Sequence, residues 1–224
     1  MNNAYEIELW QAVENFKIVA KKLYPNVTEE NDNGEWEDEI DEFYNMTSAS
    51  LDVIKNLSVC DVNAQTIDCL LYAIARDEEC EDLICEILEY NEWFSELCKQ
   101  SLQTNYLNAK LQFARQLKKY SGDHSTKELI FKFLSCDVEY IERTALESLA
   151  SIYPEKAEEY AVNFWERKKY KSDEYQKMMA IYVLHKINSP KLEYYLRKSE
   201  ELNYTYLNNE VKRIRQEVKC ASQY

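Results

Sequence analysis

An apolar motif recurs three times in the second half of the chain. Each copy places a small or aromatic residue in an apolar helical stripe, and a leucine follows four residues later. These leucines are Leu117, Leu149 and Leu184, which are 32 and then 35 residues apart. A period of this size is typical of helical hairpins that stack along the chain. The spacing therefore predicts a repetitive helical architecture, which usually provides a binding surface.

The scarcity of turn residues indicates an all-α protein. The 224 residues include only two glycines and three prolines. Hairpins between β-strands depend on glycine in their tight turns, whereas helical hairpins can turn on Asn, Asp and Ser. At this length the chain can bury a core without a disulfide framework.

Apolar periodicity and capping residues predict about eleven or twelve helices in antiparallel pairs. The first is expected from Asn3 to Tyr24, with Leu23 on its buried face together with Leu9, Val13, Phe16 and Ala20. Pro25 ends it, because the residue before a proline is disfavoured in a helix. A short acidic helix is expected from Glu35 onward.

Caps set the boundaries of the following helices. Ser48 or Ser50 is predicted to begin a helix that runs through Leu57, and Asn63 is predicted to cap its partner. A long helix is expected from 104 to 120. Later helices are predicted at 129–134 and 138–152, three others begin at Pro154, Asp173 and Ser189, and a separate last helix is predicted through 207–218.

The segment 137–152 resembles the second helix of a HEAT repeat. That family has an Asp in the turn, an Arg one turn into the helix, and small and large apolar residues ending in a leucine. Asp137, Arg143, Ala145, Leu146 and Leu149 stand at these places. The resemblance implies a right-handed α-solenoid of about five to six antiparallel HEAT-like hairpins, and it implies no activity.

The array is predicted to form one domain over 1–224, because no low-complexity linker divides it. Residues 1–46 would form an N-terminal cap helix and an acidic segment, 47–104 acidic irregular hairpins, and 105–220 the regular HEAT-like hairpins. Terminal repeats must cover an otherwise exposed apolar face, which explains the atypical start.

The seven cysteines and the N-terminus favour a cytoplasmic protein. An odd number of cysteines at irregular spacing in a chain of this length is not a disulfide framework, so we expect reduced, buried thiols. The first residues have neither a basic region nor an apolar core, as a signal peptide would. No apolar run approaches the length of a membrane span.

No pattern in the sequence indicates catalysis. His124 and His185 belong to no recognisable ligand pattern, and the sequence contains no CxxC. Two glycines exclude the loops that cradle phosphates. We therefore expect a protein that is not an enzyme and that uses no metal or cofactor.

Charge is distributed unevenly along the chain. Residues 1–104 contain 24 Asp and Glu against 6 Lys and Arg, whereas residues 105–224 contain 17 against 21. An acidic surface that carries large aromatic side chains suits a basic protein partner, because charge raises the encounter rate and buried aromatics supply affinity. The candidate partner-binding residues are Glu35, Trp36, Glu37, Asp38, Glu39, Asp41, Glu42, Phe43, Trp93 and Phe94.

In composition the chain resembles immunity proteins, which are small, acidic, cytosolic inhibitors that mask bacterial toxins. We therefore expect a protein that is a monomer when free and that binds a basic protein such as a secreted toxin domain. We expect no binding to membranes. A generic scaffold or adaptor is the first alternative.

A second alternative is a HEAT-like DNA-binding or glycosylase-type protein that uses the basic residues of the second half. These are Lys118, Lys119, Arg167, Lys168, Lys169, Lys171, Lys212, Arg213 and Arg215. The net charge of −14 opposes approach to phosphates at long range, so nucleic acid is the less favoured partner.

Overall fold

The computed structural model describes residues 3–25, 40–77 and 79–221. Every regular element within these ranges is a helix, and none of these residues lies in a β-strand. The all-α prediction from the scarcity of glycine and proline is therefore confirmed for this part of the chain.

The chain divides into two compact units. The N-terminal unit is Met1–Leu129 and the C-terminal unit is Ile130–Tyr224. The prediction of one continuous domain over 1–224 stays a prediction.

The N-terminal unit contains seven α-helices among its described residues. They are α1 (Ala4–Leu23), α2 (Asp41–Asn56), α3 (Ala64–Arg76), α4 (Asp82–Ile87), α5 (Asn91–Ser101), α6 (Leu107–Gln116) and α7 (His124–Lys127), with a 3-10 turn at Val59–Asp61 between α2 and α3.

Helix α1 begins at a capping box. The Asn3 side chain accepts from the Tyr5 backbone N–H, and the Glu6 carboxylate accepts from the Asn3 N–H. Glu6 is buried and also accepts from the Thr66 hydroxyl at 2.7 Å, which fixes the start of α1 against α3. The predicted apolar face is correct except for Leu23, which is 46% exposed in the last turn.

Helix α2 corrects the prediction that Ser48 or Ser50 begins a helix. The helix is continuous from Asp41 to Asn56, and the Ser50 hydroxyl donates to the Met46 carbonyl within it at 2.8 Å. A serine hydroxyl can bond to a backbone carbonyl one turn earlier in the same helix, so a serine does not by itself mark a helix start.

The remaining helices of this unit agree in part with the pattern. Asn63 caps α3 as predicted, since its side chain accepts from the N–H groups of Gln65 and Thr66. The long helix expected over 104–120 is wrong: α6 covers only Leu107–Gln116 and a turn follows it. The helix expected at 129–134 is present, with Ile130–Phe133 helical and one residue shorter at each end.

The C-terminal unit begins with that single turn and continues with longer helices. These are α8 (Ile130–Phe133), α9 (Glu139–Ile152), α10 (Pro154–Glu166), α11 (Glu174–Lys186), α12 (Leu192–Glu200) and α13 (Thr205–Ala221). Pro154 stands at the first helical position, where its missing N–H costs nothing.

Asp173 stands at the N-cap of α11, but its side chain makes no capping bond. Its carboxylate instead pairs with Lys177 and accepts from the Tyr204 hydroxyl at 2.8 Å.

Within the segment that resembles a HEAT repeat, Ala145, Leu146 and Leu149 are fully buried in α9. Asp137 has a φ of 63° in the turn before the helix, a left-handed conformation that Asp tolerates better than most residues. Arg143 pairs with Glu139 at 3.2 Å on the same helix.

Hydrogen bonds between different helices of the C-terminal unit recur at a separation close to the period of the sequence motif. They join Ser189 to Glu158 and Tyr204 to Asp173 at 31 residues, Lys198 to Glu166 at 32, and Lys186 to Ser151 at 35. The last two of these bonds join α12 to α10 and α11 to α9, each about one period away.

Candidate functional site

Five of the predicted partner-binding residues lie outside the described residues. They are Glu35, Trp36, Glu37, Asp38 and Glu39. The acidic helix predicted from Glu35 can be followed only from Asp41, where α2 begins. Asp41 is exposed in its first turn and Glu42 is half-buried beside it.

Phe43 is half-buried at the start of α2. Its ring lies 6.1 Å from that of Phe16 on α1 and 5.9 Å from that of Tyr44, which is 53% exposed. Phe43 thus packs α2 on α1 and keeps part of its ring at the surface.

Trp93 and Phe94 are core residues, and their assignment to a partner-binding surface needs correction. Trp93 is 3% exposed, and its indole N–H donates to the Leu57 carbonyl at 3.2 Å. Phe94 is fully buried, with its ring 4.8 Å from that of Tyr120 and 5.3 Å from that of Phe113. The hydrophobicity that made them candidate anchors is what buries them within their own unit.

A groove lies across three connections of the N-terminal unit. It crosses the α2–α3 connection at Ser58, the end of the α4–α5 connection at Tyr90 with Asn91 at the start of α5, and the α6–α7 connection at Gly122. Ser58, Asn91 and Gly122 are 33 and 31 residues apart in the sequence. The helical period therefore places every second connection of this unit side by side, and we call the depression they line the turn groove.

The turn groove has two adjoining parts that share Ser58, Val59, Asn91 and Glu92. The first, of about 520 Å³, is lined by Glu92, Glu96 and Asp123, and we call it the acidic part. The second, of about 410 Å³, is lined by Leu57, Val59 and Tyr90, and we call it the apolar part. Lys55, Asn56 and the shared Glu92 also line the apolar part.

Tyr120 holds the turns together. Its hydroxyl donates to the Asp123 carboxylate at 3.0 Å and its oxygen lies 3.4 Å from the Asn91 carbonyl oxygen, while its ring stacks on Phe94. Gly122 makes this approach possible, because a Cβ at that position would lie 2.2 Å from the Tyr120 hydroxyl oxygen. One of the two glycines in the chain thus stands where the groove needs a close contact.

Asp123 provides a fixed negative charge in the acidic part. Hydrogen bonds from the hydroxyls of Ser125 and Thr126 hold its pKa well below the usual range of an aspartate. Its oxygens also accept from the Thr126 N–H at 2.8 Å and from Tyr120, so the carboxylate is fully engaged within the protein. Asp123 therefore acts on a ligand through its charge.

The other two carboxylates are presented by α5 one helical turn apart. Glu92 is exposed and Glu96 is half-buried. Glu96 accepts from the Gln100 amide at 2.6 Å and lies 3.8 Å from the Lys99 ammonium. Carboxylates at this spacing face the same side of a helix, so both can point acceptor oxygens at one ligand.

Sequence reasoning did not find the turn groove. Its residues are of the types common in turns and at helix starts, and none belongs to a known catalytic or ligand-binding motif. The available signal was the spacing of 33 and 31 residues between turn positions, which continues the period of the apolar motif into the first half of the chain.

Four of the nine basic residues singled out in the second half pair with acids of the C-terminal unit. Arg167 lies 2.9 Å from the Glu142 carboxylate, and Lys169 lies 2.7 Å from it. Arg213 pairs with Glu210 and Glu217, and Arg215 lies 2.7 Å from Glu200. These four side chains are engaged within the protein and are not open for phosphates.

The prediction that all seven cysteines are buried thiols is correct for only two of them. Cys69 and Cys98 are buried, and burial raises the pKa of the Cys69 thiol to about 11. Cys136 is half-buried. The exposed ones are Cys60, Cys80, Cys85 and Cys220, and none of the seven forms a disulfide.

Within the described ranges, no three His, Cys, Asp or Glu side chains gather where they could hold one metal ion. None of the helices described combines the length and apolar content that a membrane crossing needs. Comparisons with protein-family models, with curated proteins and with solved structures find no match to this chain.

Proposed function

We propose that this chain is a non-catalytic binding protein whose N-terminal unit binds a basic protein. The observation that carries the proposal is the turn groove, in which Glu92, Glu96 and Asp123 line one part of an open depression. A volume of about 520 Å³ lies within the range of ligand-binding clefts.

The charge of the whole unit supports a basic partner. Residues 1–129 contain 26 Asp and Glu against 11 Lys and Arg, whereas residues 130–224 contain 15 against 16. An excess of one sign on one unit steers an oppositely charged partner toward it and raises the association rate. The acidic unit is therefore the one that a basic protein meets first.

The proposed architecture is a right-handed α-solenoid of about five to six HEAT-like hairpins, monomeric when free. Two observations support it. The apolar motif recurs at 32 and 35 residues, and hydrogen bonds in the C-terminal unit join residues 31 to 35 apart. Each hairpin of a solenoid contacts only its neighbours, which gives contacts at about one period.

The most specific form of the proposal is an immunity-type inhibitor that masks a basic toxin in the cytoplasm of a bacterium. Its support is the acidic composition together with a cleft whose carboxylates could replace the phosphates that a nuclease binds. A scaffold or adaptor would bind a basic protein through the same groove. It would differ from an inhibitor only in that its partner is not a toxin. A nucleic-acid-binding role is disfavoured, because Arg167, Lys169, Arg213 and Arg215 are engaged by acids.

Affinity capture from the native host tests the proposal. The tagged chain is used at about 50 mM and at about 500 mM salt, on either side of physiological ionic strength. We expect a basic protein whose association rate falls at least about tenfold at the higher salt. A partner that is not basic, or whose association is independent of salt, contradicts the proposal, and a captured toxin domain distinguishes an inhibitor from a scaffold.

A further inference from the structure

The two parts of the turn groove differ in chemistry, and they adjoin each other. The acidic part presents carboxylates of α5 and of the α6–α7 connection, and the apolar part presents Leu57, Val59 and Tyr90, which are all half-buried. A ligand that fills both parts must carry a cationic group and an apolar group a short distance apart.

The cationic group that fits best is a guanidinium. Asp123 supplies charge but its oxygens are already engaged, whereas Glu92 is exposed and Glu96 keeps acceptor capacity beside it. A guanidinium presents five N–H donors in a plane and can bridge two carboxylates, which an ammonium does less well. Asn91 and Ser95, whose hydroxyl is bonded to that of Thr126 at 2.6 Å, are neutral polar residues that line the same part.

We propose that the turn groove binds an extended segment of the partner, with an Arg side chain in the acidic part and an apolar side chain in the apolar part. Alternate side chains of an extended chain point to the same side, so the two anchors are expected at positions i and i+2. This inference rests on the proposed function of the N-terminal unit and specifies where and how its partner binds.

Labelled synthetic peptides test the inference directly, with fluorescence anisotropy as the measurement and the intact chain as the receptor. The first peptide carries Arg and Leu at i and i+2 in a Gly-Ser background. The second replaces Arg by Glu, and the third replaces Leu by Ser. We expect only the first to bind well, with the third weaker by about fivefold because it buries less apolar surface.

A pair of matched variants separates the groove from the general charge of the unit. The double substitution Glu92→Gln and Glu96→Gln removes two carboxylates from the acidic part. The double substitution Glu86→Gln and Glu89→Gln removes the same charge from exposed positions on and just after α4 that do not line the groove. We expect the first variant to weaken binding of the Arg-Leu peptide about tenfold and the second less than about twofold.

Equal affinity of the two variants overturns the inference, as does the absence of binding to the unchanged chain up to about millimolar peptide. These failures are distinguishable from failure of the proposed function. A folded basic protein that still associates in a salt-dependent way keeps the acidic unit as the binding unit and moves the contact away from the groove.

Discussion

The buried carboxylate of Glu142 provides a sharp test of the packing in the C-terminal unit. Glu142 is 0% exposed in α9, where it accepts from the Asp137 N–H at 3.0 Å. It also lies 2.9 Å from Arg167 and 2.7 Å from Lys169, whose side chains are 16% and 33% exposed. Its substitution by Ala would remove this acceptor from Arg167 and from the Asp137 N–H, while Lys169 would keep its pair with the Asp137 carboxylate at 2.6 Å.

We expect Glu142→Ala to lower the free energy of unfolding by about 3 kcal/mol, at the lower end of what a broken buried ion pair costs. Lys169 can turn toward water, which limits the loss. Glu142→Gln should cost about 1 to 2 kcal/mol, because the amide oxygen still accepts from Asp137 but the charge is gone. Glu139→Ala, which removes a partly exposed pair with Arg143 on the same helix, should cost about 0.5 kcal/mol.

Urea unfolding followed by circular dichroism measures these differences, and Glu142→Ala should lower the midpoint by at least about 1 M. Burial opposes the charge of Lys169, but hydrogen bonds to Asp137 and Glu142 raise its pKa overall. A lysine whose pKa is raised on folding stabilises the fold at every pH below its ordinary pKa, and this stabilisation is lost only as the pH rises through the pKa of the folded state. The full destabilisation by Glu142→Ala should therefore appear at pH 7. The reasoning is refuted if Glu142→Ala is no more destabilising than Glu139→Ala.

Three further predictions concern the N-terminal unit. Burial raises the pKa of Asp77 to about 6, with smaller effects from Asp82 and Glu81. The unchanged chain should therefore lose stability as the pH rises from about 4 to about 6. Above pH 6, Asp77→Asn should raise the free energy of unfolding, measured by urea denaturation, by up to about 2 kcal/mol, and it should have no effect near pH 4. Phe94→Ala should lower the free energy of unfolding by about 3 to 5 kcal/mol, because Phe94 is fully buried. If the Phe94→Ala protein had normal stability and lost only partner binding, Phe94 would be a partner-binding residue and not a core residue. Reversal of Glu37, Asp38, Glu39, Asp41 and Glu42 to Lys should slow association with a captured basic partner several-fold in stopped-flow measurements, while dissociation stays nearly constant. A large rise in the dissociation rate would show that this segment, and not the turn groove, is the contact.

The sequence predicted the helices whose limits depend on local signals. Asn3 and Asn63 cap α1 and α3, and Pro154 begins α10, as their side-chain chemistry requires. The apolar stripes of α1 and α9 could be predicted because 3.6-residue periodicity reports directly on the buried face. Leu23 departs from its stripe in the last turn of α1, where burial depends on what packs against the helix end.

Predictions failed where tertiary contacts decide the outcome. Ser50 could cap a helix or bond back within one, and only the packing of α2 selects the second. The expected long helix ends at Gln116, and the turn after it carries Tyr120, which stacks on Phe94 and bonds to Asp123. Trp93 and Phe94 are equally suited to a core or to an interface, and their burial depends on neighbours distant in sequence.

The turn groove could not have been predicted residue by residue, because its lining comes from three separate connections. Glu92 and Glu96 share a helix face that the sequence does reveal. Their proximity to Asp123 depends on how the α4–α5 and α6–α7 connections lie against each other, which Tyr120 and Gly122 determine together.

Hydrogen–deuterium exchange of the chain with and without its captured partner tests most directly whether the N-terminal unit is the binding unit. We predict slower exchange in the partner complex at 55–60, 90–96 and 120–123, which contain the residues that line the turn groove at the three connections and the adjoining helix ends. Exchange in 130–221 should stay unchanged. Protection confined to 130–221, with the three connections unaffected, would contradict the account.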